Sequence, residues 1–183
     1  DSGIRNIMAL RGDPPRGETQ FTPAPDGLGH AADLVALVKS LHPDVCCGVA
    51  GYPETHPEAP SLADDLRHLK AKLAAGADFV NTQLFFDNAV YFRFLDAARA
   101  AGIRAAILPG LMPVASLAQL DRALAFSRAT APAALRAALG TGSPDDARRA
   151  GIAWLVAQID GLIAHGAPGI HLYILNQAKT LLD

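Results

Sequence analysis

Two cysteines in 183 residues, adjacent at Cys46 and Cys47, exclude a disulfide framework, because a bridge between neighbours is strained. Both thiols are expected as small core residues in a reducing compartment, the cytoplasm. The chain has no run of like charges and a formal net charge of −2. A polybasic patch for nucleic acid or a membrane surface is therefore not expected. No stretch approaches the roughly 20 apolar residues of a transmembrane helix, and no basic-then-apolar leader opens the chain. H-E-x-x-H and Cys/His metal spacings are missing, so no metal is expected. So is the G-x-S-x-G of a nucleophile elbow. What remains is a chain that is 50% apolar, enough for one domain, residues 1–183, with its own core. It begins with Asp1 and enters a strand-like run almost at once, so it is expected to be the middle of a larger protein.

Strand and helix signals alternate. Runs rich in Ile, Val, Leu and Phe, without strict alternation, predict strands buried on both faces at Ile4–Leu10, Val45–Ala50, Phe79–Phe85, Ala105–Leu108 and Ile170–Ile174. Ala/Leu-rich stretches predict helices at Ala31–Leu41, Leu62–Ala75, Ala89–Ala101, Leu117–Ser127, Pro132–Leu139 and Asp145–His165. Gly76, Gly102 and Gly166 suit the left-handed position that ends a helix. Ser61-Leu-Ala-Asp64 and Ser143-Pro-Asp-Asp146 suit helix starts. This alternation predicts a parallel sheet with crossover helices. An open doubly wound sheet and part of a barrel both satisfy it. No G-x-G-x-x-G follows a strand, which weakens the dinucleotide-binding open sheet. A partial TIM (β/α)8 barrel of about five β/α units is the expected fold.

Chemistry-bearing residues cluster where these strands end, the place where parallel α/β proteins bind ligands. Arg11 and Asp13 follow the first strand, and burying either charge unpaired is costly. Tyr52 and His56 lie in a Pro-rich loop after the second, a loop that would equally suit a cover for a barrel end. On the following helix, Leu62, Leu66, Leu69 and Leu73 form an apolar stripe. Asp65, His68 and Lys72 form a polar stripe beside it. That edge is either solvated or, next to the Tyr52–His56 loop, able to hold the ribose and phosphates of a nucleotide. Gln83, with Phe85 and Phe86, either faces a planar heterocycle or caps a loop over two core rings. Pro109 to Pro113 reads as a rigid turn after the fourth strand, Gln119 lies early in the next helix, and Asn176 and Gln177 follow the last strand. His171 reads as a core histidine. Lys72, on a helix, fits a Schiff base poorly. A nucleophile-poor polar rim fits chemistry supplied by a cofactor.

Six segments, in order, resemble the methylenetetrahydrofolate reductases, flavoenzymes of one-carbon metabolism and methionine biosynthesis. They are Asn6–Asp13, Tyr52–Ala59, Asp65–Lys72, Thr82–Asp87, Pro109–Val114 and His171–Asn176. The resemblance implies an eight-stranded barrel of which this chain supplies the last five strands, with FAD bound non-covalently. It implies FAD contacts from Arg11, Gly12, Asp13, His30, Ala31, Tyr52, His56, Ala59, Asp65, His68, Ala71 and Lys72. Asp13 and Gln83 become the catalytic candidates. Asp13 would meet the pterin and tune the flavin, and Gln83 would contact folate and NAD(P)H in turn. Gln119 and Gln177 would contact folate. The implied scheme is ping-pong, from NAD(P)H through FAD to 5,10-methylenetetrahydrofolate.

Departures accompany the resemblance. His30 stands where the family has Tyr, Ala123 where an aromatic is common, and Gln177 where an Arg often follows the last-strand Asn. The family's glutamate general acid belongs to a strand outside this chain. Another barrel enzyme of pterin metabolism and a non-catalytic barrel fragment are the alternatives. An open barrel flank would expose apolar surface, so a homo-oligomer with a small-molecule substrate is expected.

Overall fold

Short Val-, Ile- and Phe-rich runs separated by glycine-terminated amphipathic helices fold into alternating strands and helices. The computed structural model describes residues 3–12, 14, 17 and 21–175. Asp13, Asn176 and Gln177 lie outside the described residues. The elements are β1 Asn6–Ala9, α1 Ala31–Leu41, β2 Cys46–Gly51, α2 Leu62–Ala74, β3 Phe79–Leu84 and α3 Asn88–Ala100. They continue with β4 Ala106–Leu111, α4 Leu117–Ser127, α5 Ala133–Leu139, α6 Pro144–Ala164 and β5 His171–Leu172. The exits of α2, α3 and α6 place Gly76, Gly102 and Gly166 at φ +110, +85 and +78, the region a side chain resists. Ser61 and Ser143 cap α2 and α6 by accepting from the Asp64 and Asp146 amides.

All strand pairs are parallel, and the order is β1-β2-β3-β4-β5 with no reversal. Right-handed crossovers in an unreversed order put every helix on one face, as in a barrel, whereas a doubly wound sheet must reverse. Curvature shows on the other face. Strands two apart in a flat sheet are separated by roughly 10 Å. Yet Asn81 Nδ2 on β3 lies 3.5 Å from Met8 Sδ on β1 and 3.4 Å from His171 Nδ1 on β5. The five strands form a curled half-barrel with these side chains converging on its concave face. Two glycines permit the curl. A Cβ on Gly48 would meet Phe79 at 2.4 Å and Met8 at 2.5 Å, and one on Gly110 would meet the Thr82 carbonyl at 2.3 Å.

Helices and sheet enclose the core. Val35, Leu66, Leu69, Val80, Phe94 and Ile107 are buried between α1–α3 and the strands, each contributing about 1.5–3 kcal/mol by burial. Leu84, Phe86, Leu120 and Leu135 form a second cluster under α4 and α5. Exposed Ile4, Leu10, Leu37 and Leu41 lie on the β1–α1 flank, the open side of the half-barrel. Both cysteines are free thiols, with Cys47 in the core.

Two boundaries differ from expectation. Pro109 lies inside β4, not in a turn after it. The register shifts between Asn81 and Leu84, and the Gly110 amide donates to Thr82 Oγ1 at 2.8 Å. Such irregularities are where a strand tolerates a proline. β5 is only His171–Leu172, shorter than Ile170–Ile174. Beyond it, a backbone bond from Tyr173 to the Leu111 carbonyl, 2.8 Å, continues the ladder.

Candidate functional site

The strand-end loops enclose a pocket of about 330 Å³ between the end of β1, the start of α1, the β2–α2 loop and one edge of α2. Arg11, His30, Ala31, Tyr52, His56, Ala59, Asp65, His68, Ala71 and Lys72 all line it. Gly12 follows Arg11 but is not among the lining residues, and Asp13 is outside the described residues. The local sequence explains the convergence. The α2 leucines bury one face against the sheet, with Leu69 at 2% exposure, and a 3.6-residue period then turns Asp65, His68 and Lys72 toward the loop.

Ionic and hydrogen bonds hold the pocket wall. Arg11 makes a two-pronged pair with Glu58, at 2.8 and 2.7 Å, and its guanidinium lies 4.9 Å from the centre of the Phe21 ring. The Arg11 hydrogen bond holds the Glu58 carboxyl below its ordinary value. Asp65, buried at 6% exposure, accepts from the His56 amide at 2.9 Å. His56 Nδ1 accepts from the Glu58 amide at 3.1 Å, which places the ring proton on Nε2. Burial pushes the His56 imidazole below its ordinary value, Glu58 and Asp65 oppose this, and Arg11 and Lys72 add to it. Tyr52 meets His56 edge-on at 4.5 Å between ring centres. Lys72 Nζ donates to the Ala50 carbonyl at 2.6 Å. Burial lowers its ammonium, and Asp65 partly offsets that. A half-buried cation facing a carbonyl is suited to an anionic ligand.

The other candidates lie elsewhere. Gln119 lines a second groove of about 220 Å³ with Met112, Arg122, Ala123, Phe126 and Tyr173. Its Oε1 accepts from the Ala115 amide at 2.7 Å. Ala123 is fully buried in the second core cluster. Gln83 Oε1 accepts from the Leu84 amide at 2.9 Å, and Gln83 lines neither pocket. Phe85 and Phe86 are core residues at 0% and 1% exposure, so they offer no aromatic face to a ligand beside Gln83. His171 is half-buried, close to Asn81 and edge-on to Tyr173.

Sequence reasoning missed Glu58 as the Arg11 partner, because 47 residues separate them. A signal was present in the acid of the Pro-rich loop after β2, which shares the strand-end rim with Arg11. It also missed Asn81, whose Oδ1 is buried with no hydrogen-bond partner among the described residues. Among those residues no His/Cys/Asp/Glu group could hold a metal, and no helix is long and apolar enough to cross a membrane.

A family sequence model described as methylenetetrahydrofolate reductase matches residues 1–183. The 5,10-methylenetetrahydrofolate reductase of Escherichia coli (strain K12) is 40% identical over 184 residues, 98% of this chain and 59% of that protein. Methylenetetrahydrofolate reductase (NADH) 1 of Arabidopsis thaliana is 38% identical over 99% of this chain and 33% of that protein. Methylenetetrahydrofolate reductase 2 of Saccharomyces cerevisiae is 37% identical over 99% and 31%. The chain thus spans about a third of its plant and yeast relatives and under three fifths of the bacterial one. With a parallel half-barrel, a polar strand-end pocket and a match along its whole length, the chain belongs to the methylenetetrahydrofolate reductase family.

Proposed function

We propose that the full-length protein reduces 5,10-methylenetetrahydrofolate to 5-methyltetrahydrofolate with NAD(P)H, using FAD held in the 330 Å³ pocket. The observation that carries this reading is the convergence of Arg11 and Lys72 with Asp65, His56 and Tyr52 around one cavity at the strand ends. The donor set fits the group. Two cations suit a diphosphate, the Asp65 carboxylate suits a sugar hydroxyl, and the Tyr52–His56 pair adds an aromatic wall. A cavity near the lower end of the usual ligand range fits part of a dinucleotide, as expected of a half-barrel. When bound, FAD supplies a hydride carrier between two substrates taken in turn.

The residues of this chain bind and orient. His56 stays neutral and donates through Nε2. Lys72 gives up the Ala50 carbonyl or shares it with a phosphate. Gln83, with Oε1 occupied by the Leu84 amide, keeps its Nε2 hydrogens for a substrate carbonyl. Gln119, and by resemblance Gln177, face the folate. Asp13 is assigned beside the flavin by resemblance. There its charge disfavours an anionic reduced state through like-charge repulsion. Asp13→Asn is expected to raise the flavin potential, to speed reduction by NAD(P)H and to slow delivery to folate. Equal slowing of both half-reactions in stopped flow, with an unchanged potential, overturns that role.

The test of the whole reading uses the full-length protein. A visible flavin band after adding FAD, and methyltetrahydrofolate formed from NADH or NADPH, are the expected results. A protein that stays colourless and forms no product with either donor refutes it.

A further inference from the structure

Glu54 lies in the Pro-rich loop after β2 but is not among the residues lining the pocket, and its carboxylate reaches the connection between α4 and α5. It accepts from the Thr130 amide at 3.1 and 3.0 Å and from Thr130 Oγ1 at 2.5 Å. Thr130 follows the exit of α4, which is itself fixed by side chains. Arg128 takes the left-handed C-cap. The buried Ser127 hydroxyl donates to the Ala123 carbonyl at 2.6 Å and accepts from the Ala129 amide at 3.1 Å. Glu54 is therefore tied to a rigid body 76 residues away in sequence.

The next residue carries the consequence. Thr55 has φ +70, a conformation that costs a β-branched residue energy and persists only when its surroundings enforce it. Its amide closes a turn on the Tyr52 carbonyl at 3.1 Å, and the following His56 amide is held by Asp65 at 2.9 Å. The strained residue thus sits between two anchors, Glu54–Thr130 and His56–Asp65. Between them the loop sets Tyr52 edge-on to His56. With one anchor gone, Thr55 can relax and the pair loses its geometry.

We propose that Glu54 is a positioning residue. Through its three bonds to Thr130 it holds Thr55 in the left-handed conformation and so presents Tyr52 and His56 to the ligand of the strand-end pocket. The pocket's ligand rests on the FAD reading above, whereas the strut itself does not. Carboxylate bonds to backbone and hydroxyl donors are among the stronger hydrogen bonds, so their loss is felt at the loop they hold.

The experiment uses the full-length protein with Glu54→Ala, Thr130→Val and the conservative Thr130→Ser, in two measurements well below the melting temperature. The first is the FAD dissociation constant. It is expected to rise about tenfold in Glu54→Ala, to rise about threefold in Thr130→Val, which keeps the amide donor, and to return to the starting value in Thr130→Ser. The second is the NMR shift of the His56 ring protons in FAD-free protein, which senses the Tyr52 ring current. It is expected to move in Glu54→Ala and Thr130→Val and to stay in Thr130→Ser. A folded Glu54→Ala with unchanged FAD affinity and unchanged His56 shift overturns the proposal. Should Glu54→Ala fail to fold, Thr130→Val decides by the same criteria. If the starting protein binds no FAD, the flavin reading fails and the His56 shift alone judges the strut.

Discussion

Two cavities among the described residues of this half-barrel are built in opposite ways. The pocket over β1, β2 and α2 is walled by charges that answer one another: Arg11 with Glu58, Asp65 with the His56 amide, Lys72 with the Ala50 carbonyl. The groove beside α4 is walled by Met112, Phe126 and Tyr173, with Gln119 and Arg122 as its polar members. The first is assembled from loops that fold against each other. The second is the flank of one helix against the segment after β5. A pocket of paired charges holds its shape without a ligand, because each side chain already has a polar neighbour. A groove with an exposed phenylalanine, Phe126 at 56%, offers contact area instead. Under the function proposed above, the first would hold the cofactor and the second the exchanging substrate.

The largest expected effect tests whether the curl beneath the groove is required. Gly110→Ala drives a methyl into the Thr82 carbonyl at 2.3 Å and the Tyr173 ring at 2.7 Å. It is expected to cost about 2–3 kcal/mol in urea unfolding. An unchanged midpoint would mean that the strands shift freely there.

Next comes Lys72→Met, which separates binding from stability. FAD affinity is expected to fall roughly ten- to a hundredfold. Stability without FAD is expected to stay within about 0.5 kcal/mol or to rise, because the variant removes a desolvated charge. If stability falls together with affinity, Lys72 is a structural cation and the comparison loses its first half.

Phe126→Ala sharpens the second half. An exposed side chain contributes under about 0.5 kcal/mol to folding. The KM for the folate is nonetheless expected to rise about threefold or more, with FAD affinity unchanged. Parallel changes in both constants would show that the two cavities are one site.

The smallest effect is on pH dependence. Folded His56 titrates below its ordinary value, so between the folded and unfolded values the unfolded chain binds more protons. Stability from the neutral ring is present above about pH 6.5 and is lost as pH falls through the folded value. Glu58 and Asp78, held low by Arg11 and Lys39, also lose their contribution in acid, but at lower pH. The difference between the starting protein and His56→Asn therefore isolates the histidine. A difference that is flat from pH 5 to 7.5 would remove burial as the cause of its shift.

Element order, helix caps and the parallel class were legible because their signals are local. A Gly three or four residues past an apolar stripe, or a Ser before Pro-Asp-Asp, acts within one turn of its own position. The polar side chains Arg11, Tyr52, His56, Asp65, His68 and Lys72 of the first pocket were legible from their place at strand ends and along one helix edge, whereas His30, Ala31, Ala59 and Ala71 entered only through the family resemblance. Pro109 reads as a turn residue but lies inside β4, because a strand tolerates a proline at an irregularity, and the shift near Thr82 is a property of the pair. The sequence does not decide the surroundings of Phe85 and Phe86, because two adjacent rings point to opposite sides of a chain. Only the packed helices decided that both are core.

The sequence by itself determined the alternation of strands and helices, the family and the placing of polar residues at strand ends and along one edge of α2. Local periodicity and ordered motifs carry that information without reference to distant parts of the chain. Tertiary structure alone decided who meets whom: Arg11 with Glu58, Glu54 with Thr130, Asn81 with His171, at separations of 47, 76 and 90 residues. Those meetings depend on how far the sheet curls and on where Gly48 and Gly110 let side chains cross it. Curvature is set by the sum of many strand contacts, and no window of neighbouring residues contains it.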